Sequence, residues 1–219
     1  MMRRLAFFRD TRGASAAECA LVVPVMLIFL LGIIDVGRYV WNVNQVEKAT
    51  QVGARWAVAT DIIPGGDVGC SDTSATTRGL RCYSYSIQGS YGQGEVVQAA
   101  DFPPVTCSST GSTLACTCSG CPFDTSIDAN AQAAYNALVT QMNRVYGALG
   151  AQNVDVTYSY SGLGYAGDPY GSDVDPIVTV TTTDIPFRPL FLGGLANLGL
   201  PSLGYSLTME DGQGSYSNY

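Results

Sequence analysis

The sequence predicts an α+β protein: a long N-terminal transmembrane and amphipathic helix, followed by a small disulfide-rich head in which a second helix packs on an antiparallel sheet. Three observations predict it. Sixteen uncharged residues, Cys19 to Ile34, lie between Glu18 and Asp35. Six cysteines fall in a Gly- and Ser-rich middle region, and after it one helical apolar face is followed by runs that alternate with a period of two.

The apolar run would rise about 24 Å as a helix, so it reaches the ~30 Å of a hydrocarbon core only with its flanks Ala14–Ala17 and Val36–Gly37. With them it spans. Leu21, Val22, Leu27, Phe29, Leu31 and Ile34 are the membrane-facing candidates, and Pro24 is expected to bend the helix without ending it. Beyond Asp35 an amphipathic rod continues, with Val36, Tyr39/Val40, Val43, Val46, Ala49/Thr50, Gly53, Trp56 and Ala57 as the face to be buried. Pro64-Gly65-Gly66 stops the helix near Ile62.

Glu18 is what a plain anchor does not explain, because a lone carboxylate at the apolar end of a membrane helix costs a few kcal/mol unless it is paired. A cut after Gly13 would place a new amino terminus at Ala14, four residues from Glu18 on one helical face. An ammonium and a carboxylate so placed can meet when identical helices stack with an axial offset.

Gly13-Ala14-Ser15-Ala16-Ala17-Glu18 resembles a prepilin-peptidase site, a Gly, four small residues and then Glu. The helix that follows, with Gly37-Arg38-Tyr39 and Gly53-Ala54-Arg55-Trp56-Ala57, is similar to the TadE-like pseudopilins of tight-adherence (Flp) pilus systems. Pro186-Phe187-Arg188-Pro189-Leu190 and Leu207-Thr208-Met209-Glu210 resemble that family's closing segment. Cys19 stands where major Flp pilins carry an aromatic residue, and major pilins are much shorter, so the resemblance is to a minor pseudopilin. It implies a pilin-like fold, removal of residues 1–13 with Gly13 and Ala14 as the processing site, and a role for Glu18 in subunit alignment or recruitment. It also implies three partners: a prepilin peptidase, other pilins or pseudopilins with their assembly platform, and the membrane. The expected function is assembly or tip decoration of the pilus, supporting surface attachment. Residence in the fibre and residence in the membrane are both compatible with it. The rival reading is an unprocessed membrane-anchored binding module in which Glu18 is incidental.

Charge orients the chain. Arg3, Arg4, Arg9 and Arg12 precede Gly13 with only Asp10 opposing them, which keeps that end in the cytoplasm and carries the rest across a bacterial inner membrane in a single pass. A secretory signal peptide is the alternative, but Gly32-Ile33-Ile34-Asp35 is not a small-residue cleavage site and the helical pattern runs past it. The net charge of −7 would become −10 without residues 1–13, so no nucleic-acid partner is expected. Three parts follow: a basic leader over 1–13, a membrane and assembly helix over 14–62, and one extracytoplasmic head over 63–219.

Within the head, Arg81–Gln88 alternates as a strand, and the rest of the region to Asp124 is expected to be loop. Ser126–Leu149 reads as the second helix, with Ser126 or Asp128 as cap and Gly150 as stop. Asn153–Tyr160, Ile177–Thr183 and Tyr205–Met209 read as strands. Cys70, Cys82, Cys107, Cys116, Cys118 and Cys121 are the disulfide candidates, with fifteen possible connectivities. Zinc at Cys118-x-x-Cys121 is the alternative, set against a chain with no histidine and an exported, acidic head. Cys19 is left over, as a small apolar side chain buried in the helix.

No metal and no cofactor is expected. Asp168, Asp173 and Asp175 lie in a loop without EF-hand spacing, which reads as solvated surface. Tyr83, Tyr85, Tyr91, Tyr158, Tyr160, Tyr165 and Tyr170, many beside Gly or Ser, could form an adhesive surface. An enzyme is not expected: the usual general base is missing, the single lysine is Lys48 on the rod, and no nucleophile elbow or phosphate loop occurs.

Overall fold

The computed structural model describes residues 14–72, 77–111, 113–168, 172–191, 193 and 198–209. The described chain divides into two compact units, one made of the chain to Trp41 with Pro186–Leu198, the other of Asn42–Ile185 with the chain from Gly199 on.

Helix α1 runs from Ala14 to Ala59, 46 residues, with Pro24 inside it. Its early residues belong to the first unit, together with β5 (Pro186–Phe187); β5 pairs with the two-residue strand β6 (Leu198–Gly199), at which the chain passes from the first unit to the second.

In the second unit a five-stranded sheet has the order β2-β1-β3-β4-β7, every pair antiparallel. The strands are β1 (Val105–Thr110), β2 (Thr113–Cys118), β3 (Val154–Ser159), β4 (Ile177–Thr182) and β7 (Leu203–Thr208). β-branched residues at alternate positions explain the central strands: Val154, Val156 and Tyr158 on β3 and Val178, Val180 and Thr182 on β4 are all buried. Against this core the later part of α1 buries Val46, Ala49, Thr50, Gly53, Ala54 and Ala57, steps of three and four that make one stripe. The stripe begins later than the periodicity predicts: Val36 and Val40 are exposed.

Helix α2 spans Ala129–Asn143, shorter at both ends than the expected Ser126–Leu149. Asp128 is its cap, accepting from the Ala131 N–H at 2.7 Å, so residues 126–128 precede the first turn. Of the face expected from the 3.6-residue period, Ile127, Ala131, Ala134, Leu138, Met142, Val145 and Leu149, the helix buries Ala131, Ala134, Leu138 and Met142, together with Tyr135 and Val139, while Ile127, Val145 and Leu149 lie beyond its ends. The Tyr135 hydroxyl, within 2.7 Å of the Val154 carbonyl, ties the helix to β3.

Two expectations for 63–124 are corrected. Arg81–Gln88 is not a strand: Leu80–Cys82 is a 3-10 turn and the residues after it are turns, because Asp173 accepts from the Tyr85 N–H at 2.6 Å and occupies a donor that a ladder would use. The supposed loop contains the β1–β2 hairpin, closed by a two-residue connection in which Gly111 adopts φ 72°, a left-handed conformation suited to glycine. The helix ends at Ala59, three residues short of Ile62, and the strands over 153–160, 177–183 and 205–209 are found within one or two residues of expectation.

The six head cysteines form three disulfides, Cys70–Cys82, Cys107–Cys116 and Cys118–Cys121. Cys107 and Cys116 face each other across the hairpin, with Cα atoms 4.0 Å apart, so the register itself makes the bond. Cys118-x-x-Cys121 is thereby a disulfide, not a ligand pair.

Gly53 lies where α1 meets both other layers: a Cβ there would sit 2.7 Å from Met142 Sδ and 3.3 Å from Val180 Cγ1. Gly53→Val is expected to lower stability by about 1–3 kcal/mol, the usual range for overpacking. Denaturant unfolding followed by near-ultraviolet circular dichroism measures it, and Gly53→Ala, which gains helix propensity, should lose less.

Asp155 on β3 supplies a pH signature. Burial pushes its carboxyl pKa above the ordinary 3.8, the Thr183 hydroxyl that donates to it acts in the opposite direction, and Asp184 adds to the rise. The folded state therefore holds its proton to higher pH than the unfolded one, so this group's contribution to stability is full below the ordinary value and is lost as pH rises through the raised one. Asp155→Asn should accordingly gain stability relative to the unaltered chain as pH increases from below 3.8 toward neutrality. A difference that stays flat with pH contradicts this.

Candidate functional site

The candidate site is the first unit, where α1 carries the residues that the sequence singles out. Ala14 is the first helical residue and Glu18 is exposed one turn later. At 3.6 residues per turn the two share a side of the helix. Gly13, with the whole leader 1–13, lies outside the described residues. Leu21, Val22, Pro24, Leu27, Phe29 and Ile34 are exposed, Phe29 by 70%, while Leu31 is half-buried. Cys19 makes no disulfide and is exposed on the same surface, not packed as expected. Among the described residues α1 is the helix long and apolar enough to cross a membrane, and only 6% of its most apolar window is buried by protein. A surface this apolar with no protein cover is what lipid solvates.

At the end of that surface stands Asp35, 3% exposed. Its Oδ1 accepts from the Leu190 N–H at 2.8 Å and its Oδ2 from the Phe191 N–H at 2.9 Å, 155 and 156 residues away in sequence. Two successive backbone N–H groups aimed at one carboxylate form an anion-binding nest, and a charged acceptor makes such bonds stronger than neutral ones. Arg38 approaches Asp35 at 3.6 Å and lies 5.8 Å from the centre of the Phe187 ring, which Tyr39 meets edge-on at 5.2 Å. One helical turn thus holds the returning chain by charge and by aromatic contact.

Residues 13–55 match the family model of TadE-like proteins, a family associated with Tad pilus systems. The similarity is confined to the N-terminal helix and the residue before it. No curated protein and no solved structure matches the chain.

The match takes in Gly13, Ala14 and Glu18 and ends within the stripe buried in the second unit. The matched stretch thus includes both the exposed apolar surface and the start of the packed one. Asp35 and its clamp were missed from sequence, where Asp35 marked only the end of the apolar run. The available signal was the segment Pro186–Leu190, with its two prolines, but nothing in local periodicity links it to a residue 155 positions earlier.

The head redistributes other candidates. Tyr83, Tyr85 and Tyr158 are buried, with Tyr158 accepting from the Ile63 N–H at 3.2 Å, and burial pushes all three phenol pKa values up. Tyr91 and Tyr160 are half-buried, Tyr165 is exposed, and Tyr170 lies outside the described residues. A broad tyrosine surface is therefore not what these residues build. Asp173 is 1% exposed and accepts from Ser84 Oγ and the N–H groups of Tyr85 and Asp168, so it is a structural acceptor inside the loop and not solvated surface. Arg81 lies between Asp61 at 3.0 Å and Asp67 at 2.8 Å, while Asp128 also accepts from the Asp67 N–H, which joins the loop after α1 to the start of α2. Burial raises the Asp61 carboxyl pKa, Arg81 opposes that rise and Asp67 adds to it.

Asp35→Ala removes the acceptor for two amides at once. Exchange of the Leu190 and Phe191 N–H groups with deuterated solvent should accelerate about tenfold or more, for a loss of about 1–3 kcal/mol of local stability. Asp35→Asn keeps one acceptor oxygen and should fall between.

Proposed function

We propose that this chain is a minor pilin or pseudopilin of a tight-adherence pilus, made as a membrane precursor, cut after Gly13 by a prepilin peptidase, and used in assembly or tip decoration of the fibre. The observation that carries the reading is the family match over 13–55, which begins at Gly13 and includes Glu18. Glycine suits the cleaved position because a side chain there would obstruct the peptidase. Glu18, exposed one turn into α1, is free on its surface to meet the new ammonium of a neighbouring subunit. Stacked helices of this kind would bury the apolar surface from Leu21 to Ile34 among other pilins, as lipid covers it beforehand.

The four arginines before Gly13 support an inner-membrane orientation with the head outside the cytoplasm, where the three disulfides are stable. In this reading the protein is a substrate of an enzyme and not itself one. Its partners are the peptidase, other pilins with their assembly platform, and the membrane. Contact of the assembled fibre with surfaces would then depend on the head.

Intact mass and N-terminal sequence of the protein from its native host test the reading. The expected result is a mature chain beginning at Ala14, absent from a Gly13→Arg variant. A chain that keeps residues 1–13 overturns it and leaves a membrane-anchored module. Glu18→Ala should still be processed yet be lost from the assembled fraction, since it alters alignment and not cleavage.

A further inference from the structure

Leu190 and Phe191 are large apolar side chains held open to the surroundings, 66% and 49% exposed, on a segment that their own backbone fastens to Asp35. In an aqueous head such residues would ordinarily turn inward. Their place along α1 explains the exposure. Asp35 directly follows Ile34, the last residue of the uncharged run, so the segment is fixed at the level where the hydrocarbon surface of the helix ends. It is continuous with that surface.

The surrounding chemistry is that of a membrane interface. Arg188, two residues before Leu190, is exposed, a residue type whose long stem can lie on apolar surface while its guanidinium reaches a lipid phosphate. Trp41, 65% exposed, lies six residues beyond Asp35, about 9 Å along the axis, in the position of an interfacial aromatic. Backbone entering the headgroup and acyl boundary must have its N–H groups satisfied, and the Asp35 carboxylate satisfies those of Leu190 and Phe191. The carboxylate, in turn, is shielded by the bonds it accepts.

We propose that Leu190 and Phe191 insert into the outer part of the bilayer beside α1, so that the chain is anchored by one spanning helix and by a second, interfacial contact from far along the sequence. The inference rests on the membrane-spanning reading of α1. The second contact would fix the tilt and rotation of the helix relative to the lipid, which one span alone leaves free.

The test is depth-resolved fluorescence of the full chain in phosphatidylcholine vesicles. Trp41→Phe and Trp56→Phe remove the native indoles, and Phe191→Trp, or separately Leu190→Trp, supplies a single reporter. Insertion predicts blue-shifted emission, quenching by lipids brominated on the acyl chain, and little quenching by aqueous iodide. Adding Asp35→Ala should reverse all three readouts, since the segment is then no longer fastened. Emission at the wavelength of free indole with full access to iodide, from both reporters, overturns the proposal. Flotation of the same samples separates its failure from that of the span: a chain that floats with the vesicles but shows a water-exposed reporter refutes the interfacial contact alone, and a chain that does not float refutes both.

Discussion

A buried carboxylate organises the N-terminal unit. Asp35 ends the uncharged run of α1, and a carboxylate only 3% exposed is tolerated only if donors surround it. The donors come from the Leu190 and Phe191 backbone, with the Arg38 guanidinium 3.6 Å away. A requirement of the helix is thereby met by a segment that also needs partners for its own N–H groups. Each solves the other's desolvation problem, so this turn of α1 and the returning chain are fixed together.

The same helix meets a different constraint farther along. From Val46 to Ala57 it presents small residues, Ala49, Gly53, Ala54 and Ala57, to the sheet and to α2, which lets the backbones approach closely. Met142 and Val180 fill the room that Gly53 leaves. The two parts of α1 are both apolar but differ in side-chain size: Leu, Ile, Val and Phe where the helix surface is exposed, alanine and glycine where the head's own core is. Residues of the first kind fill space that adapts to them, whereas residues of the second kind yield space to a packed interior.

The head combines a sheet with a large loop fraction, and the stabilising devices are divided accordingly. The central strands β3 and β4 hold together by burying β-branched residues and tyrosine. In the glycine-rich segment from 63 to 124 a buried aromatic cluster of Tyr83, Tyr85, Phe102 and Phe123 is reinforced by disulfides, the Asp61–Arg81–Asp67 contacts and the buried acceptor Asp173. Cys107–Cys116 and Cys118–Cys121 close short loops, so they restrain local geometry more than they constrain the unfolded chain as a whole.

Local pattern was enough for every feature whose cause is local. The uncharged run set the long apolar helix, the stripe from Val46 onward its packed face, period-two alternation the strands β3 and β7, a β-branched run the strand β4, and the six head cysteines the disulfides. The β1–β2 hairpin was legible too, in the Gly-Ser pair between Thr110 and Thr113, but the polar Ser and Thr of those strands hid it. Tertiary structure alone decided which tyrosines are core, why Arg81–Gln88 turns instead of extending, which cysteines pair, and that Asp35 receives the chain from 155 residues on. Periodicity reports which face of an element is apolar, because that depends on neighbours within a few residues. The partner of a buried carboxylate or thiol depends on which distant segments the topology brings together, and no local repeat encodes that distance.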